Sequence, residues 1–295
     1  MRRPLAALAA IGLAVIGAGL WITRPDGLPD DAMAAFDGDA AAGERIFWAA
    51  GCASCHAAKD AEGEDRLILV GGQAFPSEFG TFRAPNVSMH PEHGIGLWSA
   101  EEFANAVQRG ISPGGAHYYP AFPYTAYALA GPQDVADLWA FWQTLPAAET
   151  PSLPHDLGFP FSIRRAVGVW KALYTPQDWA VAVEGADAKR GRYLSEALGH
   201  CAECHTPRDA LGGLDRTRWL AGAPNPSGKG RIPNITPAAL DWSEAEIAQY
   251  LADGFTPEFD SAGGHMVSVI KNLVRLPEGD RRAIAAYLKQ VPPVE

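Results

Sequence analysis

Basic residues are under-supplied in this 295-residue chain, with 24 Lys and Arg against 34 Asp and Glu and a formal net charge of −10. That balance argues against nucleic-acid binding, whose phosphates require a basic face. Patterns of alternating apolar and polar residues are almost absent, which argues against a β-rich core. Cysteine and methionine are each limited to four residues, so any chemistry that needs sulfur is confined to few places. What is present is ordinary: 47% hydrophobic residues, enough for a real core, and a length that suits two domains.

The N-terminus departs from this background. Met1-Arg2-Arg3 precedes an uncharged run of eighteen residues from Leu5 to Ile22. A basic start followed by an apolar stretch is an export signal, and the run is longer than the roughly 7–15 residues of a cleaved signal core. The reading favoured is a retained signal anchor, a transmembrane helix within residues 1–24 closed by an interfacial Trp21. The competing reading is cleavage at Gly17-Ala18-Gly19. Either one places the remaining chain outside the cytoplasm.

All four cysteines fall in Cys52-Ala53-Ser54-Cys55-His56 and Cys201-Ala202-Glu203-Cys204-His205. Two disulfides, a zinc site of paired hooks, or a thiol redox pair would each use two C-x-x-C pairs. None of these explains a histidine directly after each pair. Covalent haem attachment does: each thiol adds to a porphyrin vinyl group and the adjacent imidazole, His56 or His205, becomes the proximal iron ligand. The sequence therefore predicts two haem c groups, held by Cys52 and Cys55 and by Cys201 and Cys204.

The chain repeats around these motifs. Gly43-Glu44-Arg45-Ile46-Phe47 precedes the first and Gly191-Arg192-Tyr193-Leu194 the second. Ala84-Pro85-Asn86-Val87 and Ile232-Pro233-Asn234-Ile235 follow at similar distances. Trp98-Ser99 and Trp242-Ser243 each open an amphipathic helical pattern with a serine N-cap and a glycine stop, Gly110 or Gly254. Each half closes on another helix, predicted from Asp134 to Leu145 and from Asp280 to Val291, before a proline. Pro146, Pro151, Pro154 and Pro160 exclude regular helix or a central strand between the halves. The division expected is domain 1 over 36–147, a Pro-rich connector over 148–184 and domain 2 over 185–295. The fold class is mainly α, two haem-wrapping domains in tandem with long loops.

These motifs, with Gly94-Ile95-Gly96-Leu97-Trp98-Ser99 and Tyr119-Pro120-Ala121-Phe122-Pro123-Tyr124, resemble the cytochrome c subunits of membrane-bound periplasmic dehydrogenases acting on alcohols, gluconate or sorbitol. The resemblance extends from about residue 36 over nearly the whole chain. It implies class I cytochrome c domains, a bacterial periplasmic location on the inner membrane, and electron delivery from a partner dehydrogenase towards quinone, a soluble cytochrome or a terminal oxidase. Two departures stand out: two haem motifs where those subunits carry three, and Phe122 where their Tyr-Pro-Ala-x-Pro-Tyr segment has methionine.

The sixth iron ligand of the second domain is read as Met266, twelve residues past Gly254, with His265 as the neighbouring alternative. The position twelve past Gly110 is Phe122, which has no lone pair. His117 on the same Gly-rich loop is the substitute, with Met89 and His90 next. A nitrogen ligand would make the first haem the lower-potential one, so that electrons enter at domain 1 and leave from domain 2. Arg83, Asn86, Trp98, Arg218, Arg231, Asn234 and Trp242 are candidates for contact with haem propionates. The function expected is electron carriage, not catalysis. The alternative is a dihaem redox enzyme, peroxidase-like or thiosulfate-oxidising, with an open first iron; no acid–base set and no further cysteine accompany the first motif.

Overall fold

A computed structural model describes residues 2–176, 178–225 and 230–295, with side chains from Ala10 onward. The chain opens with α1 (Arg2–Ile22). The first half runs α2 (Ala40–Ala49), α3 (Cys52–His56), a hairpin of β1 (Ala74–Ser77) and β2 (Gly80–Arg83), α4 (Ala100–Ala104), α5 (Tyr124–Tyr127) and α6 (Pro132–Trp142). The connector supplies β3 (Asp156–Leu157) and α7 (Val167–Tyr174). The second half runs α8 (Ala186–Arg192), α9 (Ala202–His205), β4 (Ala223–Pro224), β5 (Arg231–Ile232), α10 (Glu244–Asp253), α11 (Met266–Leu273) and α12 (Glu278–Leu288). The strands are short and peripheral, with β3 adding antiparallel to β2 opposite Gly80 and Thr81.

Each half is organised by one helix crossing made possible by one glycine. A Cβ on Gly43 would lie 1.9 Å from the Asp137 carbonyl oxygen, and one on Gly191 1.8 Å from that of Ala283. No side chain fits there, so α2 meets α6, and α8 meets α12, backbone to backbone. Phe47, fully buried, then packs edge-on to Trp48, Phe141 and Trp142 at centroid separations of 5.0, 5.4 and 5.7 Å. Such aromatic pairs add about 0.5–1.5 kcal/mol each beyond burial. In the second half Leu194, Leu198 and Tyr287 fill the equivalent core.

The serine caps form as full capping boxes, Ser99 with Glu102 and Ser243 with Glu246. The helices they open end at left-handed glycines, Gly110 at φ +57° and Gly254 at φ +79°. Two details differ from the sequence pattern. The closing helices start two residues earlier, at Pro132 and Glu278, and stop at Trp142 and Leu288. Pro132 suits the first turn, where its missing N–H is not needed. Within the connector, the proline stretch is irregular, but α7 forms after it.

The expected transmembrane segment is corrected. Among the described residues no helix is long and apolar enough to cross a membrane. The Leu5–Ile22 run is at the short end of the roughly 17–25 residues that a span uses, and half of it is Ala and Gly, which carry little apolar surface. Anchoring through this helix, and localisation resting on that anchor, are therefore not supported. The foot of α1 instead ties into the protein. Arg165 donates to the Leu20 carbonyl at 2.9 Å and to Thr23 Oγ1 at 3.0 Å.

The two halves interlock reciprocally. α5 of the first half packs on the π turn Tyr193–Leu198 that leads into the second cysteine motif, and α11 of the second half packs on α2 and α3. The turns that enter the two cysteine motifs consequently lie close together, with a Cβ on Gly51 4.0 Å from His200 Nε2.

Candidate functional site

A helical turn sets the geometry of each motif. In α3, Cys52 and Cys55 sit three residues apart, hence on one face, and His56 closes the turn. The four thiols are unbridged. Burial pushes Cys52 up to about 12 and Cys55 and Cys201 to about 11, with neighbouring thiols opposing ionisation further. Such thiols are neutral, unlike the thiolates of zinc hooks or redox pairs. Among the described residues no three Cys, His, Asp or Glu side chains converge as a metal ion would need. Cys204 of one motif lies close enough to Cys55 of the other to oppose its ionisation.

The histidines are held identically. His56 Nδ1 donates to the Pro85 carbonyl at 3.0 Å, and His205 Nδ1 to that of Pro233 at 2.8 Å. A carbonyl only accepts, so Nδ1 carries the proton and Nε2 keeps its lone pair. Burial lowers both pKa values, which keeps the rings neutral. A neutral imidazole oriented by a backbone carbonyl is the usual arrangement of a metal ligand. Paired neutral thiols, an oriented imidazole and fully buried apolar neighbours such as Leu69 and Leu220 fit a covalently attached haem in each half.

The distal candidates separate. Met266 is the first residue of α11 and packs half-buried on the core. Phe122 takes the corresponding place in the first half, its ring 6.0 Å from that of Tyr118 and 5.9 Å from that of Tyr127. His117 turns elsewhere. It is 4% exposed, its Nε2 donates to the Thr23 carbonyl at 2.9 Å, and Nδ1 lies 3.4 Å from Lys171 Nζ. Neither ring nitrogen is available to iron in this arrangement. Burial, together with Arg109, lowers Lys171 to about 8. Met89 is half-buried against the core, and His90 Nδ1 accepts the Glu92 and His93 amides at 3.2 and 3.1 Å.

The expected propionate contacts fall into two groups. Asn86 donates to the Ala148 and Thr150 carbonyls, both at 2.7 Å, and Asn234 to that of Val294 at 2.7 Å. Their carbonyl oxygens accept the amides of Ser88 and Thr236. Both amides are thus spent in stapling the end of each half to its loop. Trp98 and Trp242 are half-buried on the core, Arg83 is half-buried beside His155, and Arg218 and Arg231 are exposed. The residues missed from sequence are Pro85 and Pro233 themselves. Their similar spacing after the two motifs, 29 and 28 residues past His56 and His205, is visible, but their carbonyls carry no side-chain signature.

Two units of one design, each with a C-x-x-C pair followed by a histidine held on a proline carbonyl, define a dihaem c-type electron-transfer protein. The chain belongs to the cytochrome c family, whose pattern matches residues 40–146 and again 188–292. It is 56% identical to a diheme cytochrome c-type protein of Cereibacter sphaeroides over the full length of both. It is also 38% identical to the fructose dehydrogenase cytochrome subunit of Gluconobacter japonicus, over 85% of this chain and 52% of that one. With the cytochrome c subunit of the quinone-dependent alcohol dehydrogenase of Gluconobacter oxydans it shares 32% identity, over 85% of this chain and 54% of the relative. The chain thus spans about half the length of these dehydrogenase subunits. Its cofactors are two covalently bound haem c groups, and the dehydrogenase relatives it matches are cytochrome subunits.

Proposed function

We propose that this chain takes electrons from a partner dehydrogenase and passes them to a quinone, a soluble cytochrome or an oxidase. The observation that carries the reading is the close approach of the turns that enter the two cysteine motifs, where a Cβ on Gly51 would lie 4.0 Å from His200 Nε2 and one on Gly199 3.7 Å from the Ala49 carbonyl oxygen, which suits relay from one haem to the other. Bound haem supplies a one-electron iron couple. The chain supplies neutral proximal histidines, His56 and His205, held by Pro85 and Pro233, and an acidic surface suited to a basic redox partner. Met266 is the proposed sixth ligand of the second iron, and domains at 36–147 and 185–295 flank the 148–184 connector.

The first iron differs. With Phe122 in the methionine position and both His117 nitrogens engaged, it is read as lacking a strong sixth ligand. The direction of electron flow argued from His117 loses its basis.

Deletion of the gene tests the main reading. Substrate-driven oxygen uptake should fall, while dehydrogenase activity assayed with an artificial dye persists. Unchanged oxygen uptake on every dehydrogenase substrate supplied would overturn it.

A further inference from the structure

The helix that starts at Met266 is secured mainly at its other end, and by the other half of the molecule. Its N-terminus is loose: Gly263 and Gly264, the latter at φ +56°, precede it, no side chain caps it, and Val267 is 40% exposed. Glycines of this kind let the backbone pivot. Six residues on, Asn272 is 2% exposed. Its Nδ2 donates to Ser54 Oγ at 2.8 Å, and its Oδ1 accepts the Arg66 guanidinium at 2.5 Å. Arg66 also donates to the Lys271 carbonyl at 3.0 Å, and Ser268 Oγ donates to Ser54 Oγ at 2.9 Å. Ser54 is the central residue of the first haem-attachment motif. Arg66 is itself 6% exposed and lies 5.2 Å from the centroid of Trp48, whose ring also carries Arg275 at 5.1 Å.

This arrangement has no equal on the other side. The repeat aligns Asn272 with Ala128, which has no polar group, and Ser54 with Glu203, whose contact to Thr125 is 3.5 Å. In the first half α5 is instead fixed by Pro123 before it and by the Tyr127 hydroxyl on the Ala50 carbonyl at 2.8 Å.

We propose that Ser54, Arg66 and Asn272 form a clasp by which the attachment helix of the first haem positions the axial-ligand helix of the second. They are positioning residues: they touch neither iron, and they act through the register of α11 on Met266. Removing one partner leaves buried polar groups unsatisfied, and the helix, with a glycine pivot at its start, relaxes at the end that carries the sulfur. The inference rests on the reading of Met266 as the sixth ligand of the second haem.

The test uses the purified dihaem protein. Two readouts apply: the weak far-red charge-transfer band of the oxidised iron–sulfur bond, and the rate at which cyanide displaces that sulfur. Arg66→Met and Asn272→Ala should weaken the band and speed cyanide entry at the second haem by about ten- to a hundredfold, the scale of effects one residue removed from a ligand. Ser54→Ala, a milder change, should act in the same direction. Arg282→Gln, which removes the exposed ion pair to Glu278, should leave both readouts unchanged. Mass spectrometry should show two haems in every variant. Wild-type band and cyanide rate in all three clasp variants would overturn the clasp. A band that survives Met266→Ala would instead overturn the ligand assignment, and the clasp as stated with it.

Discussion

The buried carboxylate of Glu196 accepts the Tyr287 hydroxyl at 2.7 Å, and that hydroxyl in turn accepts Trp219 Nε1 at 2.9 Å. Glu196 also receives the amides of Ala180 at 2.6 Å and Val181 at 3.3 Å, which brings the end of the connector onto the core of the second half. Burial raises its pKa against these donors.

A pH dependence follows with a defined sign. A carboxyl whose folded pKa exceeds its unfolded value, roughly 4.3, binds more protons in the native state between the two. Its contribution to stability is therefore full below the unfolded pKa and declines as pH rises through the folded one. Urea unfolding measured across this window should show that decline, and Glu196→Gln should flatten it. A wild-type slope retained in the variant would assign it to other groups.

Haem attachment is separable between the halves. The double change Cys201→Ala with Cys204→Ala should lower the mass by one haem and leave one c-type spectrum. A mass fitting two haems, or bare thiols in the wild type, contradicts the assignment.

His117 and Phe122 carry opposite expectations. His117→Ala should leave the visible spectrum unchanged and cost about 1–3 kcal/mol, as for a buried carbonyl left without its donor at Thr23. A shift of one haem to high spin would return His117 to the iron. The reduced wild type should bind carbon monoxide at one haem of its two, and Phe122→Met should abolish that binding and add a second far-red band. If the wild type binds none, Met89→Leu identifies or excludes the remaining sulfur.

The glycine crossings should be intolerant. Gly43→Ala and Gly191→Ala each drive a methyl into a carbonyl oxygen, and overpacking of this kind costs about 1–3 kcal/mol or more. Thermal unfolding of the haem-loaded variants reads the loss directly.

The parts of this fold readable in the sequence are those whose chemistry is contiguous. A thioether pair and its histidine must share one helical turn, so Cys52–His56 and Cys201–His205 announce themselves. A cap must precede its helix, so Ser99 and Ser243 are legible as well. Asn86 and Asn234 read as candidates for propionate contact because the carbonyls they bind, at Ala148, Thr150 and Val294, are about 60 residues away and look like any other backbone. The repeat points to His117 only through the absence of a ligand at Phe122, whereas its partner Thr23 lies 94 residues back. The reach of α11 across to Ser54, over 218 residues, is set by how two halves dock, which neither half encodes alone.

The proline-studded connector gains a further meaning from that docking. It ties two halves that must meet in one register, and a tether raises the effective concentration of each for the other to about the millimolar range. An interface of a few buried polar groups and rings then holds more firmly than the same contacts would between separate chains. The protein is in this sense a dimer folded within one chain, whose halves need not match: one carries a sulfur at position 266, the other a phenyl ring at 122.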